Sequence, residues 1–305
     1  MVYLVTGGGG INASHVIRGL VERGESVVIF DLVKDLKLLK EEANQVKVTQ
    51  GDITDFYQLL HTVKDEQVDH IIHMAYFMGP ANPSKSFKVN LIGTFNVLEA
   101  ARIMEVKKLV FTSSWQVYGD VSSSFPVSED SPKIPKTIYG AGKLALEIWG
   151  ECYSRTYGLD FTALRFSKLY GPGRSYSPYA HLEVDQIVMN SVHGKPSRIF
   201  AGGEKTQWLY LKDLARAVLL ASSCVNPKRR ILNIGSEEYF SLREVANFVK
   251  KLIPSAKIEI VPQKEKTSSS LVLDYKAARE ELGYAQKYTM TSGLKDYIDT
   301  VRSSK

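Results

Sequence analysis

Two residues with helical spacing could form an acid–base pair. Tyr139 and Lys143 stand at positions i and i+4 of the run Tyr139-Gly140-Ala141-Gly142-Lys143, and such positions share one face of a helix. An ammonium beside a phenol favours the phenolate, so the spacing predicts that Lys143 lowers the pKa of Tyr139 from its usual value of about 10. Tyr139 could then exchange a proton with a substrate hydroxyl. The alternative is an ordinary exposed pair of helix residues.

A serine hydroxyl could complete this site. Ser114 follows Phe111-Thr112-Ser113 at the carboxyl end of a segment with the pattern of a buried strand, and open parallel sheets bind their ligands at that end. There a hydroxyl can hold the substrate oxygen beside Tyr139 and polarise a carbonyl. The alternative is that Ser113 and Ser114 are polar residues where a strand meets a loop.

A glycine-rich turn follows the first predicted strand. Gly7, Gly10 and Ala13 have the spacing G-x-x-G-x-x-A, which permits a tight turn and lets a pyrophosphate approach the start of the next helix. Asp31 ends the second predicted strand, where its carboxylate can bind the adenosine ribose hydroxyls and repel a 2′-phosphate. This favours NAD over NADP, although Lys34 nearby leaves the choice open. The alternative is a flexible turn that binds nothing.

The elements that position these residues alternate between short β-branched runs and longer helical patterns. Strands are predicted at 2–6, 26–31, 46–49, 70–73, 109–113, 162–166 and 230–234, and helices at about 12–23, 86–104, 139–157 and 212–222. This alternation is typical of an α/β fold, a Rossmann-type doubly wound parallel sheet with a smaller C-terminal α/β domain. We assign residues 1–166 plus about 205–235 to an NAD-binding domain. A substrate-binding domain takes about 167–204 plus 236–305, and 120–136 is predicted as a long loop.

These segments together resemble the extended short-chain dehydrogenase/reductase family, in its NAD-dependent epimerase/dehydratase group, over almost the whole chain. The motifs that carry the resemblance are Thr6 to Gly10, Gly51-Asp52-Ile53-Thr54-Asp55, His73-Met74-Ala75, Asn90-Leu91-Ile92-Gly93-Thr94, Ser114 to Gly119, Tyr139 with Lys143, Arg165 followed by Tyr170-Gly171-Pro172-Gly173, Trp208-Leu209-Tyr210-Leu211-Lys212-Asp213, and Glu281-Leu282-Gly283-Tyr284.

The resemblance implies roles for individual residues. Ser114, Tyr139 and Lys143 are the expected catalytic residues, and Lys143 is also expected to bind the nicotinamide ribose. Asp52 and Ile53 are expected at the adenine, and Ala75 in the cofactor cleft. The complete expected cofactor site consists of Gly7, Gly10, Ile11, Asn12, Asp31, Asp52, Ile53, Ala75, Asn90 and Lys143. Family members commonly form homodimers through a four-helix bundle, here built from the helices near Asn90 and Tyr139.

Departures from the family pattern concern the substrate. Dehydratases of the family usually carry an acidic residue just after the catalytic hydroxyl, where this chain has Trp115-Gln116, so dehydration is not expected. Enzymes that bind nucleotide sugars tend to have Asn and Arg at the positions of Lys168 and Thr206, and both of those residues bind the diphosphate. Lys168 could instead bind a carboxylate or phosphate of a smaller acidic substrate, or simply reach solvent. Trp115, Gln116, Lys168 and Thr206 are therefore the candidate substrate residues.

Composition excludes several other classes. The net charge of +6 comes from basic residues interleaved with acids, which does not indicate a nucleic-acid surface. No segment is typical of a signal peptide or a membrane span, and two distant cysteines, Cys152 and Cys224, give neither a disulfide framework nor a metal site. We expect a cytoplasmic protein without metal, with Cys152 in the core.

Three hypotheses about function follow. The first is a dehydrogenase that exchanges hydride with free NAD at a secondary alcohol or ketone carbon of a sugar-like or hydroxy-acid substrate. The second is a UDP-sugar epimerase that keeps NAD bound and passes through a transient ketone. The third is a non-catalytic NAD-binding regulator, against which the intact Ser114, Tyr139 and Lys143 argue. The departures at Trp115, Gln116 and Thr206 favour the first.

Overall fold

A computed structural model of the chain describes residues 1–34, 36–39, 41–78, 82–119, 126–174, 183–201, 203–262 and 272–303. The first part of the predicted loop at 120–136 lies outside these residues. Its remainder contains no helix, and its one strand-like contact is a bridge between Val127 and Leu273.

The centre of the molecule is a seven-stranded sheet in the order β10-β6-β5-β4-β1-β2-β3, parallel throughout. Its strands are β1 (Val2–Thr6), β2 (Ser26–Asp31), β3 (Val46–Gln50), β4 (His70–His73), β5 (Lys108–Ser114), β6 (Phe161–Phe166) and β10 (Ile231–Ile234). The predicted doubly wound sheet is confirmed, and each predicted strand is present with bounds that differ by one residue at most. The strand order reverses between β1 and β4, and a ligand crevice forms at such a reversal.

Helices cover both faces of this sheet. Those described are α1 (Ile11–Glu22), α2 (Phe56–Asp65), α3 (Pro83–Ser86), α4 (Gly93–Ile103), α5 (Ile138–Tyr157), α6 (Glu183–Val192), α7 (Leu211–Ser223), α8 (Leu242–Leu252), α9 (Lys276–Leu282) and α10 (Met290–Ser303). Neighbouring strand residues point to opposite faces: Val5 packs in one apolar core with Val16 of α1 and Val218 of α7. Leu4 packs in the other with Leu146 of α5.

The prediction of one uniform helix at 86–104 was wrong in detail. α3 ends at Ser86, a π-helical turn runs over Phe87–Ile92, and α4 begins at Gly93. Asn90 lies inside this wider turn and directs its amide to the backbone of Phe77. Apolar periodicity does not reveal such a turn, because the residues on either side keep the same buried face.

The remaining strands form two smaller sheets. β7 (Lys168–Tyr170), β9 (Thr206–Tyr210) and β11 (Tyr239–Phe240) make a three-stranded sheet, in which Lys168 is the register partner of Trp208. β8 (Ser197–Ala201) pairs in parallel with β12 (Ile258–Pro262). The proposed division into two domains remains a prediction.

Other sequence expectations can be compared with the described residues. No helix among them is long and apolar enough to cross a membrane, and no three His, Cys, Asp or Glu side chains in these ranges are grouped as metal ligands would be. Cys152 is exposed on α5, so the prediction that it fills the core was wrong. The helical pattern identified its helix, but the side chain lies on the outward face.

Candidate functional site

A cavity of about 320 Å³ lies at the carboxyl ends of β1, β4 and β5. The glycine-rich turn, the loop after β4, the end of β5, the first turns of α5 and the three-stranded sheet all contribute to its wall. The lining residues are Gly7, Gly10, Ile11, Asn12, Ala13, Met74, Tyr76, Met78, Thr112, Ser113, Ser114, Trp115, Gln116, Tyr139, Lys143, Phe166, Ser167, Lys168, Leu169, Arg174, Trp208 and Leu214. The structure thus brings together the three predicted catalytic residues and part of the predicted cofactor site.

The glycine-rich turn has the geometry of a pyrophosphate cradle. Gly7 has φ +71°, and a Cβ there would lie 2.6 Å from the Cα of Ala75. Gly10 caps α1 without any side-chain hydrogen bond, and the first turn of that helix contains no acidic residue. The N–H groups at a helix start have no partner within the helix. Because Ile11 and Asn12 line the cavity, this helix start suits an anionic group.

Asp31 lies beside this turn at the end of β2. Its carboxylate accepts hydrogen bonds from Gly9 N at 2.9 Å and from Val33 N at 3.2 Å. A carboxylate in this place leaves oxygen lone pairs for ribose hydroxyls and disfavours a second phosphate. The residues at the turn therefore fit NAD, which lacks the 2′-phosphate of NADP.

The other predicted cofactor residues lie outside the cavity wall. The side chain of Ile53 packs against Gly93, and Asp52 accepts from the backbone N–H of Thr54 at 2.8 Å. Ala75 N donates to Thr6 Oγ1 at 3.3 Å. Asn90 binds both backbone groups of Phe77, at 2.7 and 2.9 Å. Its amide thus holds the loop after β4, and a direct contact with cofactor remains a prediction.

Ser114 and Tyr139 form the polar centre of the cavity. Ser114 caps the 3₁₀ turn Trp115–Val117, and its Oγ accepts from Gln116 N at 3.2 Å. This arrangement leaves the hydroxyl proton of Ser114 for Tyr139. Burial raises the pKa of Tyr139 to about 12, while the hydrogen bond from Ser114 and the charge of Arg174 lower it by less.

The predicted effect of Lys143 on Tyr139 was wrong for this structure. Lys143 Nζ donates to Thr112 O at 2.7 Å and lies 5.7 Å from the ring centroid of Tyr139. Burial lowers the pKa of Lys143 to about 7, against an upward effect of Glu147. Burial disfavours the charged form of both side chains, and the attraction between a phenolate and an ammonium at this distance is too weak to compensate. Burial therefore outweighs the effect that the helical spacing predicted. The spacing did correctly indicate that the two side chains lie in the same cavity.

Trp115 and Gln116 lie next to the serine. Both line the cavity, and Gln116 Oε1 accepts from Thr137 Oγ1 at 3.0 Å. Thr137 also caps α5 by accepting from Gly140 N at 3.0 Å. Gln116 therefore links the end of β5 to the start of the helix that carries Tyr139.

Two basic side chains line the cavity, Lys168 and Arg174, and the sequence had indicated only Lys168. Lys168 Nζ lies 5.5 Å from the ring centroid of Trp208, and burial lowers its pKa against an upward effect of Glu183. Arg174 pairs with Asp185 at 3.2 Å. Thr206, the other predicted position, is buried in β9 opposite Phe240 and does not reach the cavity wall. Arg174 directly follows the Tyr-Gly-Pro-Gly motif, and this position could have identified it from the sequence as a candidate cavity residue.

Comparison with known proteins is consistent with this geometry. Residues 3–235 match the family described as NAD dependent epimerase/dehydratase. The chain belongs to this family. It is 31% identical to the UDP-glucose 4-epimerase of Halalkalibacterium halodurans, with 94% of this chain and 91% of the relative covered. It is 30% identical to the UDP-glucose 4-epimerase of Lacticaseibacillus casei, with 94% and 92% covered.

Solved structures of the family have the same fold over the whole chain. The UDP-glucose 4-epimerase of Thermotoga maritima with UDP-glucose has a TM-score of 0.90 and 28% identity, covering 100% of this chain and 99% of its own. The UDP-glucose 4-epimerase of Thermus thermophilus in complex with NAD has a TM-score of 0.87 and 27% identity, with 100% of both chains covered. This chain is therefore an NAD-dependent enzyme of the epimerase/dehydratase type.

Two residues beside the catalytic candidates were not indicated by the sequence motifs. Tyr76 follows Ala75 and packs on both Tyr139 and Lys143. Glu147 lies one helical turn after Lys143 and binds the buried Arg165. Both contacts join residues distant in sequence, and only the folded chain reveals them.

Proposed function

We propose that this protein is an NAD-dependent 4-epimerase of a UDP-sugar that keeps its cofactor bound. The observation that carries the proposal is the meeting of Ser114, Tyr139 and Lys143 with the Gly7–Gly10 turn around one cavity. The similarity to UDP-glucose 4-epimerases, in sequence and in structure, supports the 4-epimerase over the dehydrogenase that uses free NAD.

The cofactor would lie between the glycine-rich turn and the catalytic residues. Gly7, Gly10 and the start of α1 would hold the pyrophosphate, and Asp31 the adenosine ribose. NAD supplies a nicotinamide ring that accepts a hydride and returns it. Lys143, buried between the rings of Tyr76 and Phe111, lies where a ribose hydroxyl of the nicotinamide half would come within its reach.

Tyr139 would handle the proton at the reacting oxygen. In its phenolate form, its Oη would take the proton of the substrate's secondary hydroxyl when the C–H bond breaks, and would give it back to the same oxygen when that bond forms again. The Ser114 hydroxyl holds that oxygen through a hydrogen bond. Since an epimerase returns what it removed, one tyrosine serves both halves of the reaction. Trp115 and Gln116 carry no group that could eliminate water, which argues against a dehydratase.

Lys168 and Arg174 are the basic side chains that would face the substrate in the cavity. Both line the cavity, and basic side chains suit the diphosphate of a nucleotide sugar. Lys168 is compatible with this role, although its departure from the family pattern had suggested a smaller acidic substrate. We assign to Lys168 the diphosphate contact that Thr206 does not supply.

The test is incubation of the purified protein with UDP-glucose or UDP-galactose, with products separated by chromatography. We expect interconversion of the two sugars, NAD retained through gel filtration, and no net change in NADH absorbance. Stoichiometric accumulation of NADH without a second UDP-sugar would instead support the dehydrogenase. UDP-N-acetylglucosamine belongs in the same panel, since a structural neighbour from Bacillus cereus, 25% identical, is a UDP-N-acetylglucosamine 4-epimerase.

We also propose that two copies associate through α4 and α5. These helices pack on each other and leave an apolar face exposed, formed by Ile103, Ile148, Trp149 and Tyr157. Phe95 and Trp149 meet edge to face within it, with ring centroids 5.4 Å apart. An apolar surface of this kind marks an association site, and two helices from each copy would make the four-helix bundle.

A further inference from the structure

Tyr76 connects the loop after β4 to the helix that carries the acid–base pair. Its Oη donates to the backbone carbonyl of Tyr139 at 3.2 Å. The two tyrosine rings meet edge to face, with centroids 5.1 Å apart. Lys143 Nζ lies 3.7 Å from the centroid of the Tyr76 ring. One side chain therefore touches both members of the pair.

The loop that carries Tyr76 is fixed on both sides. Thr6 Oγ1 accepts from Met74 N at 3.2 Å and from Ala75 N at 3.3 Å. On the other side, Asn90 binds the backbone of Phe77. The backbone is therefore held before and after Tyr76, and this places the root of its side chain beside α5.

Gly142 makes room for this arrangement. A Cβ at Gly142 would lie 2.7 Å from Tyr76 Oη but 4.0 Å from its Cζ. The first distance is a clash and the second is ordinary contact, so a side chain at position 142 would collide with the hydroxyl alone. The glycine between Tyr139 and Lys143 is thus matched to the tyrosine at position 76.

We propose that Tyr76 is a positioning residue for the Tyr139–Lys143 pair: its ring holds the Lys143 ammonium by a cation–π contact, and its hydroxyl fixes the first turn of α5. Gly142 is the small residue that this arrangement requires. The inference rests on the proposed acid–base role of the pair. A cation over an aromatic face is stabilised more when it is largely desolvated, and Lys143 is 3% exposed.

The titratable groups that face Lys143 come from three elements. Tyr139 and Glu147 lie on its own helix, His73 ends β4, and Tyr76 lies in the following loop; each interacts with Lys143. Glu147 favours the charged lysine but is itself paired with Arg165. The carbonyl of Thr112 and the ring of Phe111 also contact the ammonium, at 2.7 Å and 4.6 Å. The ring of Tyr76 is the nearer of the two aromatic faces, at 3.7 Å.

The experiment measures Lys143 directly and needs no sugar. The protein is labelled with trace acetic anhydride across a pH series, and the modified Lys143 peptide is quantified by mass spectrometry. Tyr76→Leu removes a contact that stabilises the ammonium, so the pKa of Lys143 should fall. We expect the midpoint of labelling to move to lower pH by about one unit, which corresponds to the free energy of a partly desolvated cation–π contact. Tyr76→Phe keeps the ring and should keep the midpoint. A midpoint in Tyr76→Leu that stays or rises overturns the proposal.

A second arm tests Gly142 and stays informative if Tyr76→Leu fails to fold. Gly142→Ala should lower turnover roughly tenfold or more, because it displaces the catalytic turn, while the double variant Gly142→Ala/Tyr76→Phe should recover to within about twofold of Tyr76→Phe. Tyr57→Leu, at a tyrosine 73% exposed on α2, is the matched control and should change neither readout. Gly142→Ala with unchanged turnover, or no recovery in the double variant, contradicts the arrangement. If no sugar is turned over, the proposed function fails while the labelling result still decides the role of Tyr76.

Discussion

Arg165 and Glu147 form a buried ion pair directly behind the candidate catalytic residues. Arg165 Nη2 lies 2.6 Å from Glu147 Oε2, and Nε lies 2.9 Å from Oε1. The two side chains are 2% and 0% exposed. Ser113, the neighbour of Ser114, donates to the same carboxylate at 2.5 Å. The pair thus joins β5, which ends at Ser114, and β6 to α5, the helix that carries Tyr139 and Lys143.

Removing one member of this pair should destabilise the protein strongly. Arg165→Met leaves the Glu147 carboxylate buried without its cation, so we expect the free energy of unfolding to fall by about 3–5 kcal/mol. Urea unfolding followed by circular dichroism measures the change. Arg229→Met breaks an ion pair with Asp130 whose partners are 40% and 77% exposed, and as the control it should cost less than about 1 kcal/mol. Equal effects of the two substitutions would contradict the structural role of Arg165.

Tyr139→Phe should remove turnover and leave NAD binding intact. The substitution keeps the ring and deletes the hydroxyl that exchanges the proton, so we expect kcat to fall by about a hundredfold or more. NAD affinity, measured by isothermal titration calorimetry, should stay within about twofold, because a phenol acting only on the substrate oxygen adds little to cofactor binding. Tyr57→Phe is the control on an exposed ring. Full activity of Tyr139→Phe would remove this residue from the mechanism.

The central sheet could be predicted from the sequence because buried parallel strands leave continuous apolar runs. The run Leu109-Val110-Phe111 is an example, and it became the middle of β5. Ser114, Tyr139 and Lys143 could be predicted for a related reason. Each lies at a position that the strand end or the helical repeat fixes relative to the sheet.

What could not be predicted depends on packing between distant segments. Helical spacing suggested a lowered pKa for Tyr139, but burial raises it, and the degree of burial follows from everything that surrounds the side chain. The contact of Tyr76 with Lys143 depends on a loop held by Asn90 from the π-helical turn. Neither the loop geometry nor the wider helical turn has a periodic pattern that would indicate it in the sequence.

Lys168 should affect substrate affinity more than turnover. Lys168→Met keeps an apolar stem to pack on Trp208 but removes the charge, and a lost charge-assisted contact to phosphate corresponds to a KM increase of about tenfold. We expect kcat within about twofold, because the contact is equal in ground and transition states. Steady-state kinetics with UDP-galactose measures both constants. Lys64→Met, on the exposed side of α2, is the control, and an unchanged KM in Lys168→Met would place the diphosphate elsewhere.

Acid should destabilise the protein through two buried histidines. His73 is held between the hydroxyls of Thr6 and Thr94 at 2.6 and 2.8 Å. Burial, with a smaller effect of Lys143, lowers its pKa to about 3, and burial also lowers the pKa of His15 to about 4.

Below a pH of about 6.5 the unfolded chain therefore takes up protons that the folded chain does not bind, and stability falls as the pH decreases toward 4. Urea unfolding at several pH values gives the slope. His15→Gln should reduce that slope by about 1.4 kcal/mol per pH unit, which corresponds to one proton. A slope equal to that of the unmodified protein would mean that His15 is protonated when folded.

The apolar face of α4 and α5 should hold the protein as a dimer. Trp149 is 49% exposed on this face although it is one of the largest apolar side chains of the chain. Trp149→Glu places a carboxylate where association would strip it of water, a change that costs several kcal/mol. We expect size-exclusion chromatography with light scattering to give a dimer for the unmodified protein and a monomer for Trp149→Glu. Val225→Glu introduces the same charge at a residue 79% exposed away from these helices and should remain dimeric. A monomeric unmodified protein, or a dimer that survives Trp149→Glu, would require a different surface.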